Sequence, residues 1–543
     1  MPHKVPTSHK TPPSVRADLN TSSAIQALAR IRVPGVGVHP SRGTNFNNTL
    51  FGRDSAITSR ELLDHDPEVA HDAILALATL QGTGYQDSTD EEPGRIHHEN
   101  REFSEWHAPF RNKTTRLAAS IIWGGTTQEM NTYFSMDSTP LYVLMVADYA
   151  KKFPSILDEV VTQRNGEYAS IKQSLIAAAD WMVSHITSEG LVEIARHNKY
   201  GLTHQTWKDS LTSYIHENGD SLNLSQPIAY IEVQSLVVDA LSRASDTLEE
   251  DHPEKAAEWW SKAALISQST IRRFWDEKDD YFVSSMDRNT SGELRKDGVE
   301  QSDPGWMLNS AIFDGLPEDK RQKFVTAITR QLFSPHFLTD AGIRSRSVKY
   351  IHSLPVADYH GAYTTWPLDT YFFAKGLRRQ GLPRLAEQLE SRILNAVNIS
   401  GEFFEFYYVE PDGTVLLNPD AARKKLPGAK NLPAQFYPEE GFGWTIIAAL
   451  VIKHRNTHRH RRQEDPSAWQ TVLEDNILSE IKHISPIKTV EELQARFKSN
   501  PGVYLDFSKG MAQTMKSVWE AFRPRLPQKQ RKLAGHAVRM HTV

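Results

Sequence analysis

A stretch between Gly201 and Leu236 combines an acid, aromatic side chains and a polar loop in an order that suits carbohydrate chemistry. It opens with the segment Trp207-Lys208-Asp209-Ser210, and a loop rich in Gly, Asp and Asn follows over residues 218–223. An apolar helical pattern then starts near residue 231. Aromatic rings stack on the apolar faces of sugars, and a carboxyl group beside them can transfer a proton. The same composition also fits a solvated connection between two helices, so both interpretations stay open at this point.

A second polar loop, residues 81–103, contains two adjacent histidines and several acids. Its centre reads Glu-Glu-Pro-Gly-Arg-Ile-His-His-Glu over residues 91–99. Histidine and carboxylate side chains are metal ligands, but the His-Glu-x-x-His spacing of a helical zinc site is missing. We therefore favour a cluster of hydrogen-bonding groups for a polyol, and we expect no bound metal.

Helical periodicity accounts for most of the chain between these loops. Strand signals are few and short, as in Tyr281-Phe282-Val283, and the βαβ alternation of an α/β protein is missing. The pattern therefore predicts an all-α toroid of helical hairpins whose long polar loops hold the chemistry. The clearest helical patterns cover residues 62–80, 141–153, 170–186, 231–241, 256–274, 319–332, 371–379, 384–398 and 445–452.

Composition excludes several other classes of protein. The 543 residues carry a net charge of -5, which gives no strong field for nucleic acid or an anionic membrane. Zero cysteines exclude disulfides, thiolate nucleophiles and zinc–cysteine sites, and they fit a cytoplasmic location. The N-terminus has no apolar core of a secretory signal, and no apolar run is long enough to span a bilayer. The 12 Trp and 17 Tyr residues are consistent with sugar binding.

Six short motifs occur in an order that resembles one enzyme family. Any one of them is weak evidence, but together they are similar to the catalytic domain of amylo-α-1,6-glucosidase (glycogen-debranching-like) enzymes over about residues 44–452. The closing segments at 405–413 and 441–445 resemble those of glucosylglycerate and mannosylglycerate hydrolases. The motifs are Phe-Gly-Arg-Asp-Ser (51–55), Pro-Gly-Arg-Ile-His-His-Glu (93–99), Asp-Ser-Thr-Pro-Leu (137–141), Trp-Lys-Asp-Ser (207–210), Pro-Ile-Ala with Glu-Val-Gln (227–234) and Tyr-His-Gly with Trp-Pro-Leu-Asp (359–369).

The resemblance implies an (α/α)6 barrel, a six-hairpin toroid, with short β-hairpins in its loops and an inverting mechanism without cofactor. One acid protonates the leaving oxygen while a second carboxylate deprotonates water on the opposite face, with about 6.5–9.5 Å between them. The family's acid falls on Asp209, whose pKa must rise for this role, so the ammonium of Lys208 is expected to point away from it. The base falls on Glu405. The sequence leaves three competitors for the base, namely Glu402, Glu439 and Glu440.

The other motif positions are expected to bind the sugar or to line the pocket, and each has a structural alternative. Charged groups could instead form ion pairs inside the protein, and the tryptophans could be ordinary core residues. Glu232 and Gln234 lie two positions apart at a helix start and cannot face the pocket equally, so Glu232 is preferred. The candidate substrate contacts are Phe51, Arg53, Asp54, His98, Glu99, Asp137, Trp207, Lys208, Glu232, Gln234, His360, Trp366, Asp369 and Trp444.

The predicted organisation is a flexible lead-in (1–40), a catalytic barrel (41–455) and a basic C-terminal extension with helical pieces (456–543). Many family members carry a β-rich domain before the barrel, whereas about 40 residues precede the first motif here. The expected partner is therefore an oligosaccharide with an α-1,6-glucosidic bond or a small α-glycoside such as glucosylglycerate or mannosylglycerate. No nucleic acid and no membrane are expected. A carbohydrate-binding protein without catalysis is the alternative from a different class.

Overall fold

The structure is a computed structural model. It describes residues 21–43, 45–103, 113–126, 128–210, 212–351, 360–416, 426, 437–457 and 467–483.

Helices dominate the described residues, and the strands are short. The helices are α1 (Thr21–Ile31), α2 (Gly52–Glu61), α3 (Pro67–Thr79), α4 (Lys113–Ile122), α5 (Ser138–Ala150), α6 (Ile171–Ser184), α7 (Ile231–Leu248), α8 (Pro253–Phe274), α9 (Glu318–Leu332), α10 (Pro367–Arg379), α11 (Pro383–Ser400), α12 (Gly443–Thr457) and α13 (Ala468–His483). Four segments form tighter 3-10 turns, at Pro154–Asp158, Asp303–Asn309, Ala311–Phe313 and Val348–Tyr350. A helix-rich fold with small hairpins in its loops is thus confirmed.

The strands form small antiparallel sheets between the helices. They are β1 (Arg32–Val33), β2 (Gly37–Val38), β3 (Thr49–Phe51), β4 (Glu99–Glu102), β5 (Glu129–Thr132), β6 (Val160–Thr162), β7 (Tyr168–Ser170), β8 (Ala229–Tyr230), β9 (Trp275–Asp276), β10 (Tyr281–Phe282), β11 (Ser285–Arg288), β12 (Leu294–Lys296), β13 (Leu338–Thr339), β14 (Gly342–Ile343), β15 (Thr364–Thr365), β16 (Tyr407–Val409) and β17 (Val415–Leu416).

An inner set of elements packs in chain order. Helix α2 contacts α5, α5 contacts α7, and α7 contacts the 3-10 segment Asp303–Asn309. That segment contacts α10, α10 contacts α12, and α12 contacts α2. The outer helices α3, α6, α8, α9, α11 and α1 each cover one of these inner elements. The described helices therefore form two layers around a shared core.

The two layers differ in the way their helices are buried. Inner helix α5 is buried along nearly its whole length, since apolar or small residues occupy all of its faces. Outer helix α8 buries one stripe, with Ala256, Trp259, Ala263 and Ile266 at the spacing of an amphipathic helix, while Trp260 is exposed. This stripe is the kind of signal that sequence periodicity detects.

Two of the small sheets bring distant motifs together at the ends of the inner helices. In the sheet β3-β4-β5, Phe51 pairs with Glu99 and Glu99 pairs with Thr132. In the sheet β15-β16-β17, Thr365 pairs with Tyr407. The first sheet joins the motifs at 51–55 and 93–99 to the strand that precedes the motif at 137–141. The second sheet joins the strand that precedes Trp366 to the segment at 405–409.

Both ends of the described chain differ from the predicted organisation. Residues 21–40 are predicted as a flexible lead-in that a short amphipathic segment from Ala24 to Ile31 interrupts. In the structure they include α1, which buries Ala24 and Ile31 against α12. At the other end, α12 runs through the predicted boundary at 455, and α13 packs on α9 and α11. Residues 1–20 and 484–543 lie outside the described residues. In the described part of the chain, no helix is long and apolar enough to cross a membrane.

Candidate active site

Arg53 connects three of the motifs. It lies in the first turn of α2, where Gly52 permits a close approach, since a Cβ at residue 52 would lie 2.2 Å from the carbonyl oxygen of His97. Its Nε donates to Asp137 Oδ2 across 2.5 Å, and Nη2 donates to the carbonyl oxygen of Thr206 across 2.9 Å. Its Nη1 also lies 3.7 Å from Asp209 Oδ2. The guanidinium therefore holds Asp137 and Asp209 on one side of the site.

Asp209 follows Trp207 and Lys208 in the loop before α7. Its side chain keeps 18% of its surface exposed, whereas the side chains of Arg53 and Asp137 keep 7% and 2%. Because Asp137 makes the shorter contact with Arg53, it neutralises much of the positive charge near Asp209. Asp209 is thus partly exposed to solvent and shares the guanidinium of Arg53 with Asp137.

Glu405 is buried near Asp209 and Asp54. Burial raises the pKa of its carboxyl group well above the usual value, while the backbone N–H of Glu439 opposes this shift. The charges of Glu439, Asp54 and Asp209 raise it further. The carboxyl groups of Asp54, Asp209, Glu405 and Glu439 thus influence one another electrostatically, and the carboxyl groups of Asp54, Asp209 and Glu405 are called the carboxyl cluster below.

Asp54 is the third carboxyl group of this cluster. Burial raises its pKa to about 7, with the charge of Arg53 opposing the shift and those of Asp137 and Asp209 adding to it. Its Oδ1 accepts no hydrogen bond from the described residues. A buried acceptor without a protein partner is costly, and a sugar hydroxyl would satisfy it.

Aromatic rings run past these acids in a continuous series of contacts. The Nε1 of Trp444, a ring in the middle of the series, donates to the carbonyl oxygen of Glu405 across 3.1 Å, which places the series beside the candidate base. His360 stacks on Trp366 at 4.9 Å between ring centroids. The series is Trp207, Trp366, Trp444, Phe442, Phe46, Phe51 and His98, with centroid separations of 5.5, 5.8, 4.3, 5.2, 5.3 and 5.4 Å.

Most of the tryptophan surface in this series faces protein. Trp207, Trp366 and Trp444 are each at most 7% exposed, so their main contacts are with each other and with neighbouring rings. Phe46, Phe406 and Phe442 belong to the same aromatic group and were not among the predicted site residues. Their signal in the sequence was only that each lies beside a polar motif.

Three of the predicted substrate contacts are bound by the protein itself. The ammonium of Lys208 donates to Asp303 and Ser302, and the side chain has no exposed surface. Gln234 is fully buried and exchanges hydrogen bonds with the backbone of Val192. Asp369 is also fully buried and accepts hydrogen bonds from Ser302 Oγ and Trp306 Nε1. These three residues therefore stabilise the fold in the structure and do not lie where a ligand can contact them, because no side-chain surface is left exposed.

Glu232 belongs to the same buried network. It accepts hydrogen bonds from Thr206 and from Tyr214 at 3.2 Å, and Tyr214 also donates to Asp303. Burial raises the pKa of Glu232 well above its usual value, and the charge of Asp303 adds to the shift. Asp303 was missed as a functional position because its short Asp-Pro-Gly-Trp turn has no helical periodicity.

The loop over residues 81–103 contributes one ring to the aromatic series. His98 is buried, and its pKa lies well below the usual value because of burial and the charge of Arg53. A neutral ring at this position can exchange hydrogen bonds but does not supply charge. Glu99 is engaged by Arg101, whose guanidinium also lies 6.0 Å from the ring of Phe51. The described residues contain no group of three His, Asp or Glu side chains suited to a metal ion.

The three competitors for the base are arranged differently. Glu402 accepts hydrogen bonds from the backbone of Phe403 and Gly441, at 2.7 and 3.1 Å. Glu439 is buried and accepts from Ser41 and Asn45, whereas Glu440 is exposed. Glu402 and Glu439 each accept two hydrogen bonds from the protein, whereas Glu405 accepts from the backbone N–H of Glu439 and is also acted on by the charges of Asp54 and Asp209.

Comparisons with known proteins identify the fold and the type of enzyme. Residues 124–392 match the family model described as amylo-alpha-1,6-glucosidase. The structure is similar to that of the GH63 mannosylglycerate hydrolase from Thermus thermophilus in complex with glucose, at a TM-score of 0.51 and 16% identity over 80% of this chain and 98% of that one. The same hydrolase in complex with Tris gives a TM-score of 0.51 and 16% identity, covering 80% and 100% of the two chains. A search of curated proteins finds no match.

Proposed function

We propose, since the chain belongs to the amylo-alpha-1,6-glucosidase family of glycoside hydrolases, that it cleaves α-glucosidic bonds with inversion at the anomeric carbon. The observation that carries the proposal is the carboxyl cluster of Asp209, Glu405 and Asp54, with Arg53 on one side and aromatic rings beside it. Because the family consists of hydrolases, we do not favour the alternative function of a carbohydrate-binding protein without catalysis.

In this mechanism Asp209 gives its proton to the glycosidic oxygen as the bond to the anomeric carbon breaks. Glu405 takes a proton from a water molecule, and the water oxygen bonds to that carbon from the opposite face. Asp54 and Arg53 would hold sugar hydroxyls through charge-assisted hydrogen bonds. No step needs a cofactor.

The proposed architecture is the six-hairpin toroid, an (α/α)6 barrel. It is supported by the packing order of the inner elements, which returns from α12 to α2, and by an outer helix on each. In such a ring the loops at one end meet over the centre, which accounts for the meeting of motifs hundreds of residues apart. A crystal structure tests this proposal, because an open gap between α12 and α2 would contradict it.

The substrate is proposed to be a small glycoside, either with an α-1,6-glucosidic bond or with a polar aglycone such as glycerate. Proton NMR of isomaltose, panose, maltose, glucosylglycerate and mannosylglycerate incubated with the protein tests both substrate and stereochemistry. We expect the β-anomer of the released sugar to appear before mutarotation. An α-anomer appearing first would overturn the inverting mechanism, and no cleavage of any of these compounds would overturn the substrate class.

One observation favours the reverse assignment of the two carboxyl groups. Burial keeps Glu405 protonated to higher pH, which suits an acid, while Arg53 near Asp209 favours the charged form that suits a base. We retain Asp209 as the acid because its motif and its greater exposure match that role. Cleavage of α-glucosyl fluoride decides between the assignments, since fluoride leaves without protonation.

The expected result is that Asp209→Ala keeps most of its activity on the fluoride but loses several orders of magnitude on isomaltose. Glu405→Ala should lose both activities, and added azide should restore turnover by attacking in place of the activated water. If instead Glu405→Ala keeps its activity on the fluoride and Asp209→Ala loses both activities, Glu405 is the acid and Asp209 is the base. Two variants that both keep wild-type activity on isomaltose would overturn the site.

A further inference from the structure

We propose that Glu439 is a positioning residue for Glu405, and that Ser41, Gly43 and Asn45 form a clamp that holds its carboxylate. The inference rests on the proposed function, in which Glu405 is the base. In this proposal Glu439 is not the general base itself, but it positions the general base Glu405.

The backbones of Glu405 and Glu439 are hydrogen-bonded to each other. The N–H of Glu405 donates to the carbonyl oxygen of Glu439 across 2.8 Å. The N–H of Glu439 donates in turn to Oε2 of Glu405 across 3.3 Å. The position of the base carboxylate therefore depends directly on the position of the Glu439 peptide.

The clamp fixes the side chain of Glu439 from the opposite end of the chain. Ser41 Oγ donates to Glu439 Oε2 across 2.8 Å, and the backbone N–H of Asn45 donates to Oε1 across 3.0 Å. The backbone N–H of Gly43 donates to Ser41 Oγ across 3.0 Å, which orients the hydroxyl group. Both carboxylate oxygens of Glu439 are thus held in a buried, hydrogen-bonded site.

Gly43 is shaped to this carboxylate. A Cβ at residue 43 would lie 1.3 Å from Oε2 of Glu439, so no larger side chain can coexist with the clamped position. The obstructing atom is the end of a flexible side chain, and an alanine would displace the carboxylate rather than the backbone. The clamp can therefore be opened by adding one methyl group.

The clamp links the segment before β3 to the loop before α12. The segment containing Ser41 and Asn45 leads into β3 and from there to Arg53 and Asp54 in α2. Glu439 also lines a cavity of about 830 Å³, together with residues of α1, residues 42, 43 and 45, residues 401–403 and the other residues of 437–441. Glu439 therefore lines this cavity while its peptide is hydrogen-bonded to the base, and its carboxylate is tied to the segment that leads to Arg53 and Asp54.

The charge of Glu439 also acts on the base. Glu405 is surrounded by Asp54 on α2, Asp209 in the loop before α7 and Glu439 in the loop before α12. Arg30 and Arg42 line the cavity on the other side of Glu439, together with Glu402 and Glu440. Removing the negative charge of Glu439 should lower the pKa of Glu405, because repulsion between the two carboxylates disfavours the charged base.

The test compares Glu439→Gln with the matched control Glu440→Gln in profiles of kcat/KM against pH. The acid limb of this profile reports the pKa of the free enzyme's base. We expect Glu439→Gln to move that limb to lower pH by about 0.5 unit or more and to lower kcat about tenfold. The control removes an exposed charge in the same loop and should leave the limb in place. Unfolding curves show whether each variant is folded.

Two further variants separate position from charge. Ser41→Ala and Gly43→Ala keep the charge of Glu439 but loosen or displace its carboxylate, so kcat should fall about three- to tenfold with little change in KM. A folded Glu439→Gln variant with wild-type kcat and an unmoved acid limb would overturn the proposal. So would complete loss of activity that azide restores, since Glu439 would then be the base. Failure of the proposed function is distinct, because it would show as full activity in Glu405→Ala.

Discussion

Lys208 Nζ lies 2.7 Å from Oδ2 of Asp303, and neither side chain has any exposed surface. The ammonium makes two more hydrogen bonds, to Ser302 Oγ and to the carbonyl oxygen of Ser345, both at 2.9 Å. All three donor positions of the ammonium are therefore used. Lys208 precedes the candidate acid Asp209, so this buried ion pair anchors the loop that carries it.

Loss of one partner from this pair should be strongly destabilising. In Lys208→Met, the carboxylate of Asp303 would be left buried without its cation, at a cost of about 3–5 kcal/mol in the free energy of unfolding. Urea or thermal unfolding measures this loss. The double variant Lys208→Met with Asp303→Asn leaves no unpaired charge, so it should recover part of the stability. A single variant as stable as the wild type would contradict the anchoring role.

Asp54 should make the stability of the protein depend on pH. Its folded-state pKa is raised to about 7 by burial, so it contributes stability that is present below about pH 4 and is lost as the pH rises through 7. Asparagine does not titrate. The melting temperature of Asp54→Asn should therefore rise relative to the wild type between pH 5 and pH 8.

The matched control for this prediction is Asp246→Asn, a substitution at an exposed position on α7. Its difference from the wild type should not change over the same pH range. Assayed at pH 8, where the carboxyl group of Asp54 is charged, hydrolysis by Asp54→Asn should fall about tenfold or more, since a charge-assisted hydrogen bond to a sugar hydroxyl contributes about 1.5–3 kcal/mol. A constant difference in melting temperature between Asp54→Asn and the wild type would show that Asp54 is not held protonated.

Long helices in both layers could be predicted from the sequence, whereas the shortest inner element could not. The apolar stripe of α9 predicted residues 319–332, and the helix runs from Glu318 to Leu332. The inner segment Asp303–Asn309 is too short to show a helical period. Helix α1 packs on α12 at the far end of the chain, and local sequence carries no signal for such a contact.

The candidate site, like the fold, depends partly on local sequence motifs and partly on contacts between residues that are far apart in the chain. Residue types and motif order predict which side chains carry the chemistry. In the structure Arg53 lies beside Asp209, and the charges of Asp54 and Asp209 act on Glu405. The partner of Lys208 could not be predicted, because Asp303 lies 95 residues further along the chain. A charged side chain beside a catalytic motif looks the same in sequence whether it contacts the ligand or an internal carboxylate.

Trp444 should affect catalysis through the backbone of Glu405. Its Nε1 donates to the carbonyl oxygen of Glu405, and its ring packs 4.3 Å from that of Phe442. Trp444→Phe keeps an aromatic ring but removes the donor, which costs about 1–3 kcal/mol for a buried acceptor. Because the acceptor belongs to the candidate base, we expect kcat to fall about tenfold with little change in KM.

The control for this effect is Trp181→Phe on outer helix α6. Trp181 also donates from Nε1 to a buried acid, Glu92, across 2.8 Å, but it lies outside the proposed site. This substitution should lower the melting temperature to a similar extent and leave kcat unchanged. If the two variants lose stability equally and both keep wild-type kcat, Trp444 does not position the base. A fall in kcat confined to Trp444→Phe would tie the aromatic series to the placement of Glu405.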